Sequence, residues 1–199
     1  MANTLAEGIR AQPVELYSDG VTSAHPSTGA PKYSAFPLVQ FTIDAVTNPA
    51  LDFYTITNPG NCTAYLHEVW LTGAATAATN IAVQLHKRVS ANSGGTSAVV
   101  AKTKHNTDSP APLCVVRQYT DVAAGTSFVA GASGGVLFTR LYALDRVAPA
   151  GIGIQAMQAF ALAEPIPIKP GETLALSMPS AAGPAGNVVL PGFVWSEVR

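Results

Sequence analysis

From Pro37 onward, apolar and polar residues alternate with a period of two. Val39, Phe41 and Ile43 alternate with Gln40, Thr42 and Asp44. Successive side chains of a strand point to opposite faces, so this is the signature of a half-buried strand. Phe53 to Thr57 follows, rich in aromatic and β-branched residues. The turn Asn58-Pro59-Gly60-Asn61 separates it from a strand over Thr63 to Leu71. There Val69 and Leu71 are expected on one face, and Leu66 and Trp70 on the other. Ile81, Val83 and Leu85 alternate with Gln84, His86 and Arg88. Asn92-Ser93-Gly94-Gly95 reads as a hairpin turn, with Thr96 to Lys104 as the partner strand.

The same grammar continues to the end of the chain. Strands are expected over Cys114–Thr120, Val136–Leu144 and Gln158–Ile168, the last closed by the turn Lys169-Pro170-Gly171. Leu174, Leu176 and Met178 form one face of the next strand. Val188 to Val198 closes the chain, with a bend expected at Pro191-Gly192. No long segment has helical period. About eight to ten short strands separated by turn signals imply an all-β, antiparallel β-sandwich or barrel.

Residues 1–36 differ. They contain Pro13, Pro26 and Pro31, several glycines and only short apolar pieces around Leu16-Tyr17 and Phe36. The segment reads as an extended N-terminal arm ahead of a sandwich domain at 37–199. An arm without a core of its own is expected to dock on the domain or on a neighbouring subunit.

Composition changes the picture at one point. Charged residues make up 12% of the chain, with 11 basic and 12 acidic residues and a net charge of −1. That is about half the usual share. Small neutral residues take their place, giving a surface weakly defended against association. No basic stripe marks a nucleic-acid binder, no apolar run is long enough for a membrane helix, and no signal-peptide order opens the chain. Cys62 and Cys114 are the only cysteines, and neither lies in a metal-binding spacing. They are expected to be reduced, buried, small hydrophobes.

No catalytic constellation appears. The histidines His25, His67, His86 and His105 are scattered, so no 2-His-1-carboxylate face can be drawn. Nucleophile elbows and P-loops are absent, and the sparse carboxylates single out no glycosidase pair. The expectation is no enzyme activity, no cofactor and no metal. Tyr54, Tyr65, Trp70, Tyr119, Tyr142, Phe193 and Trp195 are read as core or interface rather than as a sugar platform. The candidate interface residues are Leu16, Tyr17, Phe36, Leu66 and Trp70.

Three stretches carry a resemblance: Tyr54–Gly60 leading into Leu66–Gly73; Ile81–Arg88 followed by Ser93–Thr96; and Pro165–Leu176 with the closing Val194–Glu197. Their order resembles the small jelly-roll virion proteins of tailed bacteriophages. The resemblance implies an antiparallel jelly-roll-like β-sandwich with an extended N-terminal arm, serving as a capsid decoration or cement protein, made in the host cytoplasm and located on the capsid surface. Its expected partners are the major capsid protein or other virion proteins and copies of itself, as a dimer or trimer. Neither nucleic acid nor membrane is an expected partner. The arm and the loops Ala74–Thr79, Ala123–Gly135 and Ser180–Gly186 would supply contacts. The competing readings are a tail or head-fibre module that binds a receptor or carbohydrate, and a cupin-like metalloenzyme.

Overall fold

The structure is a computed structural model, which describes residues 29–38, 41–43, 52–74, 79–119, 129–144, 158–178 and 187–199. The chain divides into two units, Met1–Ala30 and Pro31–Arg199. Of the first, only Gly29 and Ala30 are described. Leu16, Tyr17 and the loop Ser180–Gly186 therefore lie outside the described residues, as do positions 75–78 and 123–128 of the other two loops.

The second unit is all-β, with no helix among the described residues. Its strands are β1 (Lys32–Ala35), β2 (Phe41–Ile43), β3 (Asp52–Thr57), β4 (Thr63–Ala74), β5 (Thr79–Arg88) and β6 (Ser97–Val99). They continue as β7 (Lys102–Lys104), β8 (Val115–Tyr119), β9 (Ser133–Leu144), β10 (Gln158–Ile168), β11 (Thr173–Ser177) and β12 (Asn187–Val198). One sheet has the order β10-β4-β12-β1-β7, with β2 also on β12; the other has the order β6-β8-β3-β11-β5-β9. All pairings are antiparallel. The inner sets β1-β12-β4-β10 and β3-β11-β5-β9 have the strand order of a jelly roll. The insertion between β5 and β9 places β7 on the first sheet and β6 and β8 on the second.

The core is built by aromatic pairs that join the sheets. Phe41 stacks on Phe53 with ring centroids 5.0 Å apart, and Tyr54 meets Phe193 at 4.8 Å. The buried hydroxyl of Tyr54 donates across the core to the carbonyl of Ala35 (2.9 Å). Leu174, Leu176 and Met178 all join this core, as their alternation predicts.

The structure corrects the sequence reading in four places. Lys32–Ala35, assigned to the arm, is a sandwich strand between β12 and β7, and its Tyr33 and Ala35 are core residues. Leu66 shares the core face with Val69 and Leu71 rather than with Trp70. The cause is a bulge at His67: Trp195 pairs with Leu66 while Val194 pairs with Glu68, so one residue of β4 is passed over and the alternation changes phase. The Asn92–Gly95 turn forms, with positive φ at Gly94 and Gly95, yet it does not pair β5 with its successor. β5 pairs with β11 and β9 instead, and β6 and β7 go to different sheets. Finally, β12 runs through Pro191-Gly192 without interruption. A proline needs a position where no ladder hydrogen bond is lost. On one flank β12 pairs with β2 over Asn187–Val189 and with β1 over Phe193–Ser196, which leaves position 191 in the gap between them.

Polar groups at the strand ends are satisfied by buried side chains. Asn58 donates through Nδ2 to the carbonyls of Cys62 and Ile168, both at 2.8 Å, and accepts the Gly60 N–H at Oδ1. This one side chain ties the β3–β4 turn to the end of β10. Glu197, 1% exposed, accepts the backbone N–H groups of Leu113 and Cys114 and the indole N–H of Trp195. It thereby fixes the end of β12 to the crossover between the sheets. Burial alone would raise its carboxyl pKa, but the N–H groups of Cys114 and Leu113 outweigh that and hold it below the usual carboxylate value.

Two predictions follow from these hubs. Asn58→Ala should cost about 2–4 kcal/mol in urea unfolding, because it leaves buried carbonyls without donors. For Glu197 the folded pKa lies below the unfolded one. Its stabilisation is therefore complete above the unfolded value near 4.3 and is lost as pH falls through the lower folded value. Glu197→Gln should lose about 2 kcal/mol at pH 7 and show a shallower fall in Tm between about pH 5 and 2, measured by calorimetry.

Candidate docking face

The outer face of the first sheet carries an apolar groove. Its construction begins with Gly192 on β12, which is in register with Trp70 on β4. A Cβ at position 192 would collide with the ring of Phe36, so glycine is what allows that ring to lie against the strand. Trp70 stands beside it, edge to face, with centroids 6.2 Å apart and planes at 76°. The Trp70 indole N–H donates to Glu68 Oε2 (2.8 Å), which fixes the ring and leaves its carbon faces for packing. Phe36, Pro37, Trp70, Leu71, Thr72, Leu190 and Pro191 line a groove of about 150 Å³.

Phe36 is 48% exposed and Leu38 99% exposed, so the rim is apolar as well. Small-molecule pockets generally run from about 300 Å³ upward. A volume near 150 Å³ instead suits one apolar ring or aliphatic side chain. The groove therefore has the size of a socket for a side chain of a protein partner.

The opposite sheet treats its outer side differently. Thr55, Thr173, Ala175 and Ser177 alternate with core residues on β3 and β11, yet all four are buried. Around them Arg88 donates through Nε and Nη2 to both carboxylate oxygens of Asp52, at 3.0 and 2.8 Å. Asn92 donates to the same carboxylate (2.9 Å) and accepts the N–H of Gly131 (2.7 Å), joining the turn after β5 to the segment before β9. Val136, Leu137 and Leu141 on the outermost strand β9 remain exposed.

Of the sequence-derived interface residues, the structure brings Phe36 and Trp70 together. Leu66 is fully buried in the core and is unavailable to a partner, a consequence of the bulge at His67. The groove residues Pro37, Leu190 and Pro191 were not singled out by sequence. The Pro191-Gly192 signal was visible but read as a bend. Tyr54, Tyr119, Phe193 and Trp195 are buried, which excludes them from an exposed platform.

The described histidines, His67, His86 and His105, do not converge on a metal site. His67 Nε2 meets Ser196 Oγ at 2.8 Å, and His86 Nε2 meets Gln84 Oε1 at 2.9 Å. His86 Nδ1 is buried without a hydrogen-bond partner. Burial and nearby Arg88 outweigh Asp52 and hold the His86 pKa below its ordinary value. His105 is exposed, and His25 lies outside the described residues. Among the described residues no group of three His, Cys, Asp or Glu side chains is placed to hold a metal ion.

Compared with known proteins, the chain matches no family model, no curated protein and no solved structure.

The Asp52–Arg88 pair predicts a sharp asymmetry. Asp52→Ala should destabilise by about 3–5 kcal/mol, since it strands a buried guanidinium. The double variant Asp52→Ala/Arg88→Met should recover part of that loss in chemical denaturation.

Proposed function

We propose that the protein is a non-enzymatic structural component of a virion. In this reading it is a decoration or cement protein that sits on the outside of a tailed-phage head and bridges major capsid protein subunits. The observation that carries the reading is the Phe36–Trp70 groove: an apolar socket, sized for a partner's side chain, on the outer face of a rigid sheet. The low charge of the chain supports it, because neutral faces pack against protein at small desolvation cost. The jelly-roll strand order fits the same role, although that fold also serves lectins and cupins.

The mechanism is mechanical. Each groove receives an apolar side chain from a shell subunit, and an oligomer repeats that contact. Multivalent attachment multiplies modest single affinities without new contacts. The shell seam is then held closed by the stiffness of the sandwich.

The test is cosedimentation of the purified chain with undecorated heads of the phage that encodes it. Saturable binding that protects the heads against heat is the expected result. Trp70→Ala should weaken binding by roughly thirtyfold, corresponding to about 2 kcal/mol at an aromatic anchor, while the protein stays folded. Binding to host cells or glycans without binding to heads would overturn the proposal in favour of a fibre module.

A further inference from the structure

We propose that β9 is a self-association edge, along which two copies of the protein pair antiparallel about a two-fold axis through Leu141. An edge strand leaves a row of backbone N–H and C=O groups without ladder partners, and another strand is what satisfies them. Among the described residues the other sheet edges are β2, β6, β7 and β10, and each is guarded against such pairing. β2, β6 and β7 are three residues long, and β7 carries Lys102 and Lys104. β10 carries Glu164, Pro165 and Pro167, with a register shift between Ala161 and Ile166. Short strands, lysines, prolines and bulges are the devices that keep edges apart.

β9 is the exception. It is 12 residues long, closes the order β6-β8-β3-β11-β5-β9, and contains no proline, no lysine and a single charge, Arg140. β5 occupies one flank, and among the described residues no strand pairs with the other. Val136, Leu137 and Leu141 are exposed, and Leu141, at 72%, is the most exposed large apolar side chain of the described strands. A long apolar edge left bare, where every other edge is shortened or blocked, marks an interface.

The register with β5 points to the occupant. Two shifts interrupt it between Ser133 and Phe138, and bulges of this kind bend a strand out of line. From Phe138 to Leu144 the register is unbroken, and Leu141 is the midpoint of that run. A two-fold axis there sets Leu141 against Leu141 of the partner subunit and takes both side chains out of water. Arg140 then stands opposite position 142 rather than its own copy, so like charges do not oppose each other. An isologous contact uses the same neutral strand twice and closes on itself, which a second copy supplies without any further surface. The pairing joins two six-stranded sheets edge to edge, while the Phe36–Trp70 groove lies on the other sheet. It provides the oligomer on which multivalent attachment in the capsid reading rests, yet needs no capsid to form, so either can fail without the other.

The test is analytical ultracentrifugation of the full chain over a concentration series. The wild type should sediment as a dimer that dissociates on dilution. Leu141→Lys and Leu141→Glu each set like charges across the axis and should weaken dimerisation by at least roughly a hundredfold. Both variants should melt as the wild type does, because the side chain they replace is exposed. An equimolar mixture of the two should dimerise again, since opposite charges meet only where the residue faces its own copy. Backbone amides of residues 138–144 should exchange more slowly in the wild-type dimer than in either variant alone. A wild type that stays monomeric at every concentration, a dimer that both variants leave intact, or variants that remain monomeric when mixed would overturn the proposal.

Discussion

β12 is the strand on which the sandwich depends. It pairs with β4 over nearly its whole length and with β2 and β1 in turn on its other flank. It also brings Phe193 and Trp195 into the core. The last residues of this central strand are held in place. Glu197 does the holding: its carboxylate takes backbone N–H groups from the crossover that carries the chain from one sheet to the other. The jelly-roll order makes this contact possible, because the insertion between β5 and β9 passes the end of β12. A buried carboxylate is costly by itself. Here the donors around it turn that cost into a constraint on where the sheets meet.

The two outer faces show how the same alternation can lead to different surfaces. On the second sheet the outward positions of β3 and β11 are small or hydroxylic, and they are buried beside the Asp52–Arg88 pair. On the first sheet the outward positions include Trp70 and Gly192, and Phe36 lies over the glycine. A buried ion pair adds little net stability but penalises arrangements that separate it. On the second sheet it fixes a buried polar cluster at β3 and β5, while Val136, Leu137 and Leu141 stay exposed on β9; the first sheet keeps its apolar groove at the surface.

Much of the fold was legible because period-two alternation is a local signal. β3, β5, β10 and β11 were placed from their own residues, and Gly171 adopts the positive φ that its turn requires. What was lost depends on information that alternation does not carry. A bulge shifts the phase without changing composition, so nothing in Leu66-His67-Glu68 announced that Leu66 turns inward. Asn92–Gly95 specifies a turn but cannot specify a partner: β5 pairs with β11 on one flank and with β9 along its length on the other. Lys32–Ala35 is too short to show a period, and it becomes a strand only because β12 and β7 flank it. The groove was half legible. Phe36 and Trp70 stood out as large aromatics, whereas Pro191 and Gly192 look like a strand breaker until the gap between β2 and β1 is known.

That gap links the fold to the candidate docking surface. Where β12 changes neighbours, one flank lacks a ladder partner, so a proline is tolerated at 191 and a side-chain-free position at 192 costs no core packing. The chain leaving β1 fills the space with Phe36, and the opposing strand β4 supplies Trp70. The site at this change of partner is bounded by the β12–β2 ladder on one side and the β12–β1 ladder on the other. Such a socket needs little ordering when a partner side chain enters. Preorganisation of that kind, more than area, allows a small contact to be specific.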